Sequence, residues 1–274
     1  MQSLFWLCAT ERASGESTEK IKASSINILV IILETTSSMI EIPWNDRKIP
    51  AHISKPSEGV PRAALILIHE IFGLDAHMKD VASRFAEEGY VALVPELFTP
   101  AGPLSGEGFE AARERAQKMY DKDIVSQLEA SHSYLASTSE TTGKKVGVVG
   151  WCWGGRSTML YAFSKPAIDA AIVFYGRPIN MQASERTPVS PIDIASNLPC
   201  PLLGIFGQED QSIPLDQVKR LEDELRKTGQ SIEIKTYPGA GHAFFNDTRP
   251  QVYREEAAKD AWVQTLAFYS KNLG

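Results

Sequence analysis

An α/β architecture, a mostly parallel twisted sheet with helices on both faces, is what this sequence predicts. Three observations carry that reading. From Ala63 onward, short apolar runs alternate with longer amphipathic or charged stretches. The runs are continuous rather than alternating, as expected of strands covered on both faces. Strands separated by helices pair in parallel through right-handed crossovers. The 274 residues, 43% hydrophobic and 23% charged, suffice to bury such a core without staples.

Met39 to Pro56 reads as a hairpin. Ile40 and Ile42 alternate with polar neighbours, Asn45-Asp46 make the turn, and Ile49, Ala51 and Ile53 alternate on the return. Ala64–His69 is the first buried strand. Asp80 is the expected cap of a helix running to Glu88 and ended by Gly89. Val91–Val94 is the next strand, closed by Pro95. Glu107–Ser137 reads as helical with one break. Lys145–Val149 is a strand that leads through a glycine-bounded turn to a helix, Arg156–Phe163. Ala170–Tyr175 is a strand, and Arg177 to Asn197 a long loop with three prolines. Pro201–Phe206, a helix Leu215–Thr228 and a strand Ile232–Tyr237 follow. Glu255–Leu273 closes the chain as an amphipathic helix with Ala258, Trp262, Leu266 and Tyr269 on one face.

Residues 1–38 sit poorly on this pattern, and two readings of them stand. One is an N-terminal extension that is not native, the natural start being Met39. The other is a real, partly ordered extension in which Ile28–Leu33 adds a strand. Residues 39–274 then form a single catalytic domain.

Composition narrows the function. Lys+Arg 28 against Asp+Glu 34 gives a net charge of −6, which argues against a nucleic-acid partner. Cys8, Cys152 and Cys200 are too scattered for a disulfide framework or a Cys-rich zinc site. No apolar stretch reaches the roughly 18–20 residues of a membrane span. A cytoplasmic enzyme, monomeric rather than dimeric, is expected.

Ligands of parallel sheets bind beyond the carboxyl ends of the strands, so chemistry is sought there. After the Lys145–Val149 strand stands Gly150-Trp151-Cys152-Trp153-Gly154-Gly155. This is the nucleophile-elbow pattern G-x-S-x-G with Cys for Ser. The N–H of Trp153 then faces a developing oxyanion, and the following helix N-terminus favours thiolate at Cys152. Alone, such a Cys is most often a small buried residue. Asp210 follows the Pro201–Phe206 strand, and His242 follows Ile232–Tyr237 within Gly239-Ala240-Gly241-His242. Each signal is weak by itself. The order Cys152, Asp210, His242, each after its own strand, is that of α/β-hydrolase triads. His69-Glu70-Ile71-Phe72-Gly73 follows the first buried strand, where a second oxyanion donor belongs; the Ile71 N–H is the candidate. Zinc through His69-Glu70 fails, because H-E-x-x-H requires His where Gly73 stands. Glu70 by itself reads as an ion-paired loop carboxylate.

With H-E-I-F-G, G-x-C-x-G-G, G-x-x-D-x-x-x-P and G-A-G-H-x-F in place, the chain resembles the dienelactone hydrolase (carboxymethylenebutenolidase) family over about residues 40–272. The resemblance implies an α/β-hydrolase fold, a small ester or lactone substrate, and no metal or organic cofactor. It implies Cys152 as nucleophile, His242 as base, Asp210 as its orienting acid, and Glu70 as the group that holds the resting thiol. It also implies two arginines for a substrate carboxylate. Their places, the loop Pro95–Pro103 and position 246, carry no Arg here; Asn246 stands at the second. Little discrimination between neutral and carboxylated substrates is then expected, unless Arg177 or another cation replaces them. Phe72, Phe98, Trp153, Arg177 and Phe244 are the expected pocket residues. Trp151 is expected beneath the turn. His52, His77 and His132 read as surface residues, Cys200 as unreactive, and Glu110–Lys122 as a solvated helix face. A broad carboxylesterase or thioesterase, or a non-catalytic ligand-binding or redox-sensing scaffold through Cys152, are the alternatives.

Overall fold

The computed structural model describes residues 33–164 and 168–274. Among these residues eight strands form one sheet in the order β1-β2-β4-β3-β5-β6-β7-β8. The strands are β1 (Thr35–Trp44), β2 (Arg47–Pro56), β3 (Ala64–Ile68), β4 (Val91–Pro95), β5 (Val146–Trp151), β6 (Ala170–Phe174), β7 (Leu202–Gly207) and β8 (Ile232–Tyr237). The first two pairings, β1 with β2 and β2 with β4, are antiparallel, and the remaining five are parallel. Among the described residues six α-helices flank it: α1 (Ala76–Glu87), α2 (Gly108–Ala116), α3 (Asp121–Ser137), α4 (Trp153–Ser164), α5 (Leu215–Arg226) and α6 (Glu255–Leu273). The predicted α/β class and element order are those observed. Strands β3 to β7 are buried at every position, which is why their sequences are unbroken apolar runs.

The boundaries differ where side chains cap or turn the chain. Helix α1 starts earlier than expected, because Asp75 rather than Asp80 is its cap: the Met78 amide donates to the Asp75 carboxylate over 2.9 Å. Asp80 instead pairs one turn on with Arg84. Helix α4 begins at Trp153, directly behind the elbow, and not at Arg156. On α6 the buried stripe is Ala258, Ala261, Thr265, Phe268, Tyr269 and Leu273. Trp262 and Leu266 lie at its margin, Trp262 against Phe85 with ring centres 4.6 Å apart.

The surface assignment of two histidines is corrected. His52 is 8% and His77 2% exposed. His52 Nε2 lies 3.0 Å from Ser54 Oγ, and His77 Nδ1 lies 3.3 Å from the Asp247 carboxylate. The Asp247 carboxyl is held down at about 2 by His77 and Arg84, against the opposing effect of burial. The charge run over α2 and α3 is not uniformly solvated either. Arg115 is buried and donates to the Phe72 carbonyl over 2.8 Å. Asp121 receives a two-pronged contact from Arg156 at 2.7 and 3.0 Å.

Strand β1 starts at Thr35, four residues before Met39, so a start at Met39 falls inside the strand; Thr35–Ser38 pair with Pro56–Ile53. Of the extension reading, residues 28–32 lie outside the described residues. A chain beginning at Met39 is expected to melt a few degrees below one beginning at Leu33. Each kcal/mol of lost edge pairing is worth about 2–4 °C in a domain of this size. Hydrolysis is expected to be unchanged, since β1 lies four strands from β5. Equal melting temperatures by calorimetry would count against any contribution from this pairing.

Candidate active site

The elbow after β5 is built by close backbone approach. A Cβ on Gly150 would collide with the Gly154 carbonyl, and one on Gly155 with the Phe174 carbonyl. Cys152 itself sits in the left-handed region at φ 58°, a conformation that costs free energy and is held by its surroundings. Its amide donates to Phe174 O over 3.1 Å, and its carbonyl accepts from Arg156 N over 3.1 Å. Trp151 packs beneath the turn as expected, stacked on Phe174 with centres 5.3 Å apart.

Three strand ends bring Cys152, His242 and Asp210 into a line. His242 Nε2 is 3.0 Å from Cys152 Sγ, and His242 Nδ1 donates to Asp210 Oδ2 over 2.6 Å. Asp210 is 4% exposed. Its other oxygen accepts from the Ser212 amide (2.8 Å), the Ser212 hydroxyl (2.6 Å) and the Ile213 amide (3.2 Å). Burial works against the Asp210 charge, but the His242 and Ser212 hydrogen bonds outweigh it and hold its carboxyl below the usual range. Burial likewise opposes charge on His242, yet its bonds to Asp210 and Cys152 push its pKa up to about 10.

Glu70, after β3, is 2% exposed. Asn246 Nδ2 donates to one oxygen over 2.8 Å, and the Tyr175 hydroxyl approaches the other at 3.4 Å. In this structure Cys152 Sγ is on His242 rather than on Glu70, and Glu70 and Cys152 border the same cavity. Asn246, 1% exposed, fixes that carboxylate from the position where an arginine is missing. Tyr175, at the end of β6, is fully buried, and burial and the Glu70 charge push its hydroxyl pKa well up.

A cavity of about 400 Å³ opens over Cys152 and His242. Its walls include Glu70, Ile71, Phe72, Trp153 and Arg177, as expected, and also Phe109, Tyr175, Arg249 and Val252. Phe98 and Phe244 do not line it, which corrects their assignment. Phe98 is 1% exposed, between Trp153 and the Arg115 guanidinium, which stands 4.3 Å over its ring. Phe244 is fully buried against Tyr175 and Tyr237. The left-handed turn at Ala243 (φ 62°) leaves that small residue, not Phe244, at the wall.

Arg249 escaped the sequence reading because it lies seven residues beyond His242, out of the register searched for a cation. Its guanidinium stands 5.5 Å over the Phe72 ring. Among the described residues neither Arg249 nor Arg177 has an acidic side chain in ion-pair range, whereas Arg156 at the same cavity is taken by Asp121. Tyr175 did have a signal, its place at a strand end. The remaining cysteine, Cys200, is buried with its thiol pushed up to about 12 by burial and Asp169.

The Trp153 amide is the first of α4, and first-turn amides have no partner within the helix. Ile71 lies in the turn after β3 and lines the same cavity as Trp153. Two donors, a thiol, an imidazole and a buried carboxylate on one cavity form a set able to perform acyl transfer.

Comparison with known proteins agrees with this architecture. A Methylorubrum extorquens protein that carries the provisional name carboxymethylenebutenolidase is 38% identical over 225 residues, covering 81% of this chain and 77% of its own. An Escherichia coli K12 protein of the same provisional name is 36% identical over 238 residues, covering 85% and 86%. A Klebsiella pneumoniae crystal structure, provisionally described as a dienelactone hydrolase, superposes with a TM-score of 0.82 at 34% identity, covering 87% of this chain and 99% of that one. Among the described residues no helix is long and apolar enough to cross a membrane. The sequence profile of the Dienelactone hydrolase family matches residues 49–273, and the chain belongs to that family, a hydrolase of the α/β-hydrolase superfamily.

Proposed function

We propose that the chain cleaves lactones or small carboxylic esters through a Cys152–His242–Asp210 triad and a thioacyl-enzyme intermediate. The observation that carries this reading is the alignment of Sγ, the imidazole and the buried carboxylate at 3.0 and 2.6 Å. The Cys152 thiolate attacks the ester carbonyl, and the tetrahedral oxyanion is received by the Ile71 and Trp153 amides. The carbon–oxygen bond to the leaving alcohol or enol breaks, and His242 returns the proton to that oxygen. Water then attacks the thioester as His242 accepts its proton; the acid departs and the thiolate is regenerated. Asp210 keeps the imidazole oriented and stabilises its charged form. Protein side chains, two amides and water supply every step.

The two guanidinium groups on the cavity wall favour an anionic substrate over a neutral one. This replaces the expectation of little discrimination, which rested on the missing arginines alone.

The raised His242 pKa fixes the sign of a pH test. That pKa is supported by the Asp210 carboxylate, so in Asp210→Asn the imidazole should lose its proton at a lower pH than in wild type. NMR of the His242 ring across pH, in both chains, checks this. Superposable His242 titrations would rule out the contribution of Asp210.

A further inference from the structure

His69 is fully buried and takes no part in the proton transfers above. It directly follows β3, one residue before Glu70. Its ring lies nearly parallel to the Trp153 indole, with centres 5.5 Å apart at 6°, and 5.0 Å from Phe98. The Leu97 amide donates to Nε2 over 3.1 Å. Nε2 therefore presents its lone pair, and the ring proton sits on Nδ1. Nδ1 donates to the Glu70 carbonyl over 2.7 Å, and the Gly73 amide reaches the same oxygen at 3.2 Å. The same turn is clasped from outside by Glu96, whose carboxylate accepts from the Leu74 amide and lies 3.6 Å from Nε2.

A trans peptide unit is planar, so its carbonyl and the following N–H point in opposite directions. No peptide bond among the described residues is cis. Holding the Glu70 carbonyl on the His69 ring thus turns the Ile71 N–H the other way, and Ile71 borders the cavity with Cys152 and Trp153. One ring consequently bonds the Glu70–Ile71 peptide through the Glu70 carbonyl and stacks on Trp153, the residue that carries the second candidate amide.

We infer that His69 is a positioning residue of the oxyanion site: its Nδ1–H fixes the Glu70–Ile71 peptide so that the Ile71 amide faces the carbonyl under attack. This rests on the reading of Cys152 as nucleophile. A buried histidine that merely fills space makes no distinction between its two nitrogens, and this role does.

The test compares His69→Asn with His69→Gln. An Asn amide nitrogen can occupy the place of Nδ1; a Gln side chain reaches the place of Nε2 and leaves the Glu70 carbonyl without its donor. His69→Gln is expected to lose about 10- to 100-fold in kcat with little change in KM, less than the roughly 100- to 1,000-fold loss when an oxyanion donor is removed outright, because the Ile71 amide is misaimed and not deleted. His69→Asn should retain kcat within about threefold. A small aldehyde, which forms a tetrahedral adduct on Cys152, should bind more weakly to His69→Gln in step with the fall in kcat. Iodoacetamide, whose attack develops no oxyanion, should alkylate both variants at the wild-type rate. Equal losses in the two variants, or a matching loss of alkylation, would overturn the inference. Nitrogen NMR of the wild-type ring provides a test free of variants: a proton on Nε2 instead of Nδ1 overturns it. Persistent turnover in Cys152→Ala would remove the underlying reading and the inference with it. Lost turnover there, with His69→Asn and His69→Gln alike, would overturn the inference alone.

Discussion

Replacing Cys152 by alanine is expected to lower turnover of an activated ester by at least about 10⁴-fold while leaving the fold intact, since members of a triad act as a unit. The stability half follows from the local backbone. Cys152 is at φ 58° and only partly buried, and alanine meets the same backbone cost without leaving a large void. The melting temperature is expected within about 2 °C of wild type, as for substitutions that break no buried network. Cys152→Ser separates thiol chemistry from simple occupancy of the elbow. A hydroxyl is far less acidic than a thiol, and an imidazolium beside it cannot draw out comparable nucleophile. We expect Cys152→Ser to remain at least about 100-fold below wild type. Full activity in Cys152→Ala would transfer the nucleophile elsewhere; full activity in Cys152→Ser would show that the site does not depend on thiolate.

The sheet was legible because burial on both faces leaves an unmistakable mark. Runs such as Ala64–Ile68 and Ala170–Phe174 are apolar at every position, and no amphipathic helix would be. Helix starts were less legible, since they depend on which of several polar residues turns its side chain back to the chain. Asp75 and Asp80 are equivalent on paper, and only the Asp75–Met78 bond separates them. The juxtaposition of Cys152, His242 and Asp210 could be read from chain order, because the topology of parallel strands places each strand-end residue at the same edge.

The pocket wall was legible only in part. A loop residue's proximity to a catalytic side chain in sequence does not decide which way it faces. Phe244 is two residues from His242, yet the left-handed turn at Ala243 sends it into the core. His77 and Arg115 looked like surface residues because their partners, Asp247 and the Phe72 carbonyl, lie far away in sequence. Asn246 likewise looked like a loss, an arginine gone. In the folded chain it is the donor that fixes Glu70.

The same reasoning bears on Arg249 and sets the second large effect, the choice between an acid and its ester. A guanidinium is always charged and presents a planar fork of donors that matches a carboxylate. Arg177 and Arg249 both border the cavity that holds Cys152, and among the described residues no acidic side chain neutralises either. A charge-assisted hydrogen bond to such a group contributes about 1.5–3 kcal/mol. At about 1.4 kcal/mol per tenfold, a carboxylated lactone is expected to exceed its methyl ester about 10- to 100-fold in kcat/KM. The cations are partly open to solvent, and raising the salt concentration should shrink the ratio. Arg249→Gln is expected to remove most of the preference by slowing the free acid while leaving the methyl ester within about twofold. Arg249→Lys should fall between, keeping the charge but not the fork or the contact over Phe72. Measurement of kcat/KM for both substrates in the three chains decides the matter. If the acid and the ester react equally in wild type, the two guanidinium groups do not select the substrate. If the preference survives Arg249→Gln and disappears in Arg177→Gln, the anchor is Arg177 alone.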